Sequence, residues 1–190
     1  MESQMVGLGF TILAAVSVID TLDSIDFLNG IAMIKWVNDI VVDNKKICGV
    51  IAQNQVQGQK VTDAVVGIGL NVEKSPVISP TSFVPGATCI NDLTVRKYKA
   101  GEINQILLSN LAKNYVLLIN QGFKPLLEKY KSRSLILNNH VEIWSDPQNS
   151  DPLLEHEGIV CDIGDYLELY LDGINSPITS GRLVYNKKVK

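Results

Sequence analysis

Small and apolar residues recur at three- and four-residue steps early in the chain, at Phe10, Leu13, Ala14, Ser17, Val18, Thr21, Leu22 and Ile25. That spacing predicts an amphipathic helix that lays one face on a core, stopped by Asn29-Gly30. The period then changes. Short runs rich in Val and Ile at 31–36, 40–42, 46–53 and 63–71, separated by turn residues, predict strands of a sheet buried on at least one face. Residues 75–86 hold three prolines and no periodicity, which predicts a surface loop. A second helix is expected over 102–120, with Ile103, Ile106, Leu107, Leu111, Tyr115, Leu118 and Ile119 turned inward and Gly122 ending it. Pro125 suits the first turn of a third, short helix running to about Lys131. After Arg133 only strand patterns remain, at 141–145, 157–163, 166–171 and 177–185, which predict a small antiparallel barrel. The fold class is therefore α+β: a mixed or antiparallel sheet packed by helices, followed by a small all-β barrel. The boundary falls near Leu137, dividing 1–136 from 137–190, and the polar loop 146–152, with two prolines, is expected to be mobile.

Composition narrows the class. With 190 residues, 46% of them hydrophobic, the chain can bury a real core. Seventeen basic against twenty acidic residues leave a net charge of -3, which disfavours general nucleic-acid binding, because phosphate neutralisation needs a clustered positive face. Local basic runs at Arg96, Lys97 and Lys99, and at Lys187, Lys188 and Lys190, read as solvated surface. Cys48, Cys89 and Cys161 stand far apart with no metal-ligand spacing; reduced thiols in a cytoplasmic protein are expected, and no zinc site. The apolar segment 10–19 is too short to span a bilayer, so no membrane association is expected.

The densest chemistry lies between Lys35 and Asn71: Ile-Lys-Trp-Val-Asn-Asp at 34–39, Lys-Lys-Ile-Cys-Gly at 45–49 and Gly-Ile-Gly-Leu-Asn at 67–71. Each cluster ends an apolar strand pattern, where a sheet presents polar groups to a ligand. If 39–43 and 46–53 pair through a two-residue turn at Asp43-Asn44 or Asn44-Lys45, Asp39 and Lys46 share a face in either register. Their offset of three to four residues, about 10–13 Å, would let the two charges bracket an extended anion instead of forming a simple ion pair. A solvated strand lysine and a turn-capping aspartate explain the same two residues without a ligand. Gly67 and Gly69 would admit a ligand or another strand close to the backbone, but they are no dinucleotide fingerprint, since Val72 stands where the third glycine would fall. His140 and His156 are distant from each other, and nothing pairs either with a nucleophile.

Taken together, the three clusters resemble the catalytic domain of biotin protein ligases. Members carry a Lys-Trp-Pro-Asn-Asp strand end, a Lys-x-x-Gly seven residues after that aspartate, and a Gly-x-Gly-x-Asn strand end some twenty residues further. Here Lys35, Trp36, Asn38, Asp39, Lys46, Gly49, Gly67, Gly69 and Asn71 stand in those places, with Val37 in place of the proline. The terminal strands, with Glu157-Gly158-Ile159 and Ser180-Gly181-Arg182-Leu183, resemble the family's SH3-like C-terminal module. The resemblance implies a class II synthetase-like, biotin/lipoate ligase fold and a two-step acyl transfer. Biotin's carboxylate attacks the α-phosphate of ATP with Mg2+ present, and the biotinyl group then passes to a lysine of a biotin carboxyl carrier domain. It further implies that Lys46 is catalytic and contacts the carboxylate and α-phosphate. Asn38 and Asp39 would meet the nucleotide and its metal, Asn71 the nucleotide, and the Gly49 backbone the biotin, while Lys35 supports that shell and Gly67 and Gly69 line it. No set of metal ligands follows. Family members also carry a Gly-Arg-rich loop upstream of the first helix, and residues 1–9 do not contain it. Asn186 and Glu142 stand where many members have basic residues. The expectation is a ligase impaired or incomplete as this chain, whose working form is longer; the alternatives are a non-catalytic degenerate binding module and one half of a split ligase completed by another chain. The protein partners expected besides the carrier domain are a second copy, as a homodimer, or that completing chain.

Overall fold

Helix α1 (Ser3–Asp23) is walled in on nearly every side, with the run from Thr11 to Ile19 buried throughout. It belongs to a computed structural model that describes residues 3–57, 60–146 and 151–185. Asn186, the terminal lysines and positions 147–150 of the polar loop lie outside those residues. The single buried stripe expected of α1 is thus replaced by burial all round. Its polar residues tolerate this because their hydroxyls bond within the helix: Ser17 Oγ donates to the Leu13 carbonyl and Thr21 Oγ1 to the Ser17 carbonyl, each at 2.7 Å. The helix ends at Asp23, before Asn29-Gly30, and the Asp23 carboxylate accepts the Gly30 amide at 2.9 Å.

One side of α1 packs on a four-stranded antiparallel sheet in the order β1-β2-β3-β4, made of β1 (Met33–Lys35), β2 (Asp39–Val42), β3 (Lys45–Gln57) and β4 (Lys60–Leu70). Asp43 and Asn44 both take left-handed backbone angles, φ 48° and 61°, the two-residue turn that matches strand twist and the first of the two expected. Strands β3 and β4 run further than their apolar patterns. Toward their outer reaches Ile51 and Val65 are exposed.

The other side of α1 meets α3 (Ala100–Gln121) and α4 (Lys124–Ser132), which follow a short helix, α2 (Ile90–Leu93), that the pattern did not announce. The inward face of α3 differs from expectation. Ile103 and Leu107 are buried, but so is Asn114, whereas Tyr115 and Ile119 are 48% and 66% exposed. The cause is polar matching across the helix pair. Asn114 Nδ2 donates to Ser17 Oγ at 3.1 Å and to Asp20 Oδ2 at 2.9 Å, and Asn110 Nδ2 reaches Thr21 Oγ1 at 3.1 Å.

A second four-stranded antiparallel sheet, ordered β7-β6-β5-β8, follows: β5 (His140–Trp144), β6 (Leu154–Ile163), β7 (Leu169–Leu171) and β8 (Arg182–Tyr185). The last two strands are shorter than predicted, because Leu167 at φ 59° and Gly181 at φ 123° turn the chain before each. Residues of both sheets join one hydrophobic cluster, including Ile34 and Ile47 from the first and Val141 and Leu169 from the second. Among the described residues no helix is long and apolar enough to cross a membrane.

Candidate active site

The register of the first sheet sets four of the singled-out residues in one line. Lys35 pairs with Asp39, Asp39 with Gly49, and Gly49 with Gly69, so a transverse row crosses all four strands, about 14 Å at the usual strand spacing. Directly paired residues present the same face. Lys46 joins that face through an irregularity in the β2–β3 ladder: Ile40 pairs with Cys48 but Val41 pairs with Lys46, leaving Ile47 as the extra residue.

Here the expected separation of Asp39 and Lys46 is corrected. The Lys46 ammonium lies 2.5 Å from Asp39 Oδ1. Two features close the gap. The bulge shortens the offset along the ladder, and the lysine stem lies flat across Gly49, where a Cβ would stand 3.1 Å from Cε and Nζ of Lys46. The shared face survives and the spacing does not. The ion pair is half open, with side chains 36% and 20% exposed, so the ammonium keeps a side free for an incoming anion.

Beside the pair opens a cavity of about 460 Å³, lined by Lys35, Trp36, Val37, Asn38, Asp39 and Lys46 from the first sheet. Leu8 of α1, Phe83 and Val84 of the proline-rich loop, Tyr166 and Leu167 before β7, and residues 179–183 leading into β8 complete its wall. Lys35 donates from Nζ to the Phe83 carbonyl. Burial pushes its ammonium pKa below the ordinary lysine value; neighbouring Asp39 opposes that shift, and Lys46 and Arg182 add to it. Beneath the row the buried Cys48 thiol is pushed up to about 12, by burial first and by Asp39 second, which makes it inert packing.

Four of the eight predicted site residues therefore meet in the cavity: Lys35, Asn38, Asp39 and Lys46. The Asn38 amide is committed, donating to the Val50 carbonyl at 2.7 Å. Gly49 underlies the ion pair, and Gly69 continues the row to the edge strand. Gly67 and Asn71 stand apart from the cavity lining. Gly67 pairs with Ile51 further out along the hairpin, and Asn71 spends its amide on the Thr88 carbonyl at 3.0 Å. Cavity residues not anticipated from sequence include Phe83, Tyr166, Leu167 and Arg182, with Leu8, Val84 and Thr179 beside them. Of these only Arg182 carried a signal, as part of the Ser-Gly-Arg-Leu segment.

A family model described as the biotin/lipoate A/B protein ligase family matches residues 4–71, the stretch that contains all three clusters. The bifunctional ligase/repressor BirA of Bacillus subtilis (strain 168) is 34% identical over 126 residues, 66% of this chain. Residues 4–71 thus carry the biotin/lipoate A/B protein ligase domain, and the matches together support a member of the biotin protein ligase family. The chain spans 38% of the length of that Bacillus relative. A biotin--[acetyl-CoA-carboxylase] ligase of Paracoccus denitrificans is 26% identical over 111 residues, 57% of this chain and 45% of its own length. The same fold recurs in a solved biotin protein ligase from Aquifex aeolicus in complex with biotin and ATP. That structure has a TM-score of 0.69 at 21% identity and covers 94% of this chain and 72% of that one. The ligase fold thus accounts for both sheets, and the family match accounts for the row that crosses the first.

Proposed function

We propose that this chain carries the adenylate-forming site of a biotin protein ligase. One observation carries the reading: a lysine ammonium held by an aspartate over a glycine, in a row of strand ends that opens on a cavity of about 460 Å³, a size suited to a nucleotide and a small acid. In the first step a biotin carboxylate oxygen forms a bond to the α-phosphorus of ATP, and the bond to the pyrophosphate oxygen breaks. Two anions must meet, and the barrier is lowered by fixed positive charge already oriented where negative charge develops. Lys46 supplies that charge. Asp39 aims the lysine, and Gly49 leaves room for its stem. In the second step a carrier-domain lysine amine attacks the acyl carbon, loses a proton and releases AMP.

Magnesium enters this scheme as part of the nucleotide substrate. Among the described residues no group of three or more His, Cys, Asp or Glu side chains is placed to hold a metal, and Asp39 is the one carboxylate of the cavity lining. Such a site fits an ion that keeps its waters and its phosphate ligands and borrows a single carboxylate. The second sheet, read as the SH3-like module that begins near residue 137, closes the far wall of the cavity. The proposed substrates, ATP and the carrier domain of a carboxylase, belong to the cytoplasm, and three free cysteines suit that reducing compartment.

Biotin-dependent exchange of labelled pyrophosphate into ATP tests the first step without a carrier protein. The parent chain is expected to exchange label only when biotin is present, and Lys46→Ala to lower the rate about 100- to 1,000-fold with little change in melting temperature. An unchanged rate in Lys46→Ala, or exchange that ignores biotin, would remove the reading.

A further inference from the structure

The cavity charges are lopsided. Lys35, Lys46 and Arg182 face it against one carboxylate, Asp39, an excess of two positive charges in a chain whose net charge is -3. The ligase reading gives work to Lys46 and Asp39. It leaves Arg182, from the opposite wall, without a role.

Backbone packing fixes where Arg182 stands. It opens β8 and pairs with Trp144 of β5. The preceding Gly181, at φ 123°, lies so close to β5 that a Cβ there would sit 2.7 Å from Ile143 Cγ2 and 3.0 Å from the Trp144 carbonyl oxygen. The guanidinium rests 3.8 Å above the centre of the Phe83 ring, whose own edge meets Trp144 at 6.5 Å. Phe83 is also the residue whose carbonyl accepts the Lys35 ammonium. Arg182 and Lys35 are near enough for the arginine to help lower the lysine pKa. Among the described residues the carboxylate within ion-pair reach of Arg182 is Asp146, 72% exposed and 3.8 Å from Nε, a loose contact of the kind that contributes little. The guanidinium is therefore parked on an aromatic face with its forked donors not neutralised, and a ring contact of this kind is given up readily for a phosphate.

We propose that Arg182 is the polyphosphate-binding residue of this site, taking the β- and γ-phosphates of the nucleotide from the second sheet while Lys46 attends to the α-phosphate. The inference rests on the ligase reading and assigns a residue that the three motif clusters leave out. Its physical basis is the match of a planar guanidinium to paired phosphate oxygens, which a lysine point charge lacks. Leaving-group charge that builds on the pyrophosphate is then met from the wall facing Lys46.

Calorimetry on the whole chain, titrated separately with ATP, AMP, inorganic pyrophosphate and biotin, tests it. Arg182→Ala is expected to weaken ATP and pyrophosphate by about ten- to a hundredfold and to leave AMP and biotin affinities at the parent values. If Arg182→Ala does not fold, Arg182→Lys carries the test, because it keeps the charge and the stem but not the fork; it should lose about fivefold or more for ATP and nothing for AMP. Equal ATP affinity in the variant and the parent overturns the assignment, and so does a loss shared by ATP and AMP, which would make Arg182 a wall residue. A parent chain that binds neither ATP nor biotin overturns the ligase reading itself, a result distinct from either of these.

Discussion

The feature at residue scale that matters most for chemistry is the one that strand geometry alone misjudged. Period-two reasoning put Asp39 and Lys46 on one face, and they are there. It measured the distance between backbone positions, whereas a lysine stem spans several ångströms of ladder and a bulge at Ile47 removes part of the offset. Gly49 is the residue that permits the result. A methyl group there would stand 3.1 Å from Cε and Nζ of Lys46 and 3.5 Å from Asp39 Oδ1. Both obstacles belong to side-chain ends, so the fold can yield while the ammonium moves. Gly49→Ala is accordingly expected to change stability by under about 1 kcal/mol and to lower adenylate formation about 100-fold, the cost of displacing a positioned group by about an ångström. Thermal melts and pyrophosphate exchange on the same preparation check the pair, and full activity in Gly49→Ala would show that the lysine does not need its place over the glycine. The resemblance set biotin against the backbone of this glycine. What approaches it is a side chain from its own strand, which no local pattern specifies.

Among elements, strands were read better than helix faces. The four strands of the first sheet, the turn at Asp43-Asn44 and the existence of α1, α3 and α4 follow from periodicity and turn chemistry. The faces of the two long helices were read only in part, because apolar content alone was taken to mark the inside: Ile103, Ile106, Leu107, Leu111 and Leu118 of α3 do pack on the core. In α1 nearly every side is inside, and in α3 the buried line runs through Asn114, which answers Ser17 and Asp20 of α1, while Tyr115 and Ile119 look outward. A polar residue that has partners can occupy an interface more cheaply than sequence patterning allows. The corrected orientation has a measurable consequence. Asn114→Leu would withdraw the donors from Ser17 and from the Asp20 carboxylate and leave both with fewer partners in a dry interface, at about 1–3 kcal/mol. Ile119→Gln, on the outer side, should fall within about 0.5 kcal/mol of the parent. Urea unfolding of both variants decides between the two orientations, since the reverse ranking is what the apolar pattern alone would require.

At the scale of the whole molecule, the two sheets meet through contacts between residues far apart in sequence, and for that reason composition and periodicity could announce each sheet without announcing how they join. The clearest junction is Trp36, in the first motif cluster, whose indole Nε1 donates at 2.6 Å to the carbonyl of Leu167 in the turn before β7. Both partners are buried, and Leu167 is 1% exposed. On sequence Trp36 stands only as a position of the first motif cluster. In the fold it is core that also ties the cavity floor to the cavity wall, since Trp36 and Leu167 both line the cavity. Trp36→Phe isolates the tie, because it keeps an aromatic ring for packing and deletes only the donor and part of the volume. The Leu167 carbonyl would then be buried without that partner, which costs about 1–3 kcal/mol, or about 2–4 °C of melting temperature for each kcal/mol in a chain of this size. Because the two sheets share one cluster of buried side chains, the loss should appear as one transition moved downward, followed alike by far-ultraviolet circular dichroism and by the fluorescence of Trp144 in the second sheet. A cavity whose opposite walls are tied less firmly also orders itself at the expense of ligand affinity, so ATP should bind Trp36→Phe more weakly than the parent even below the melting range. Parent-like melting and parent-like ATP affinity together would mean that packing around the ring, and not this hydrogen bond, holds the second sheet against the site.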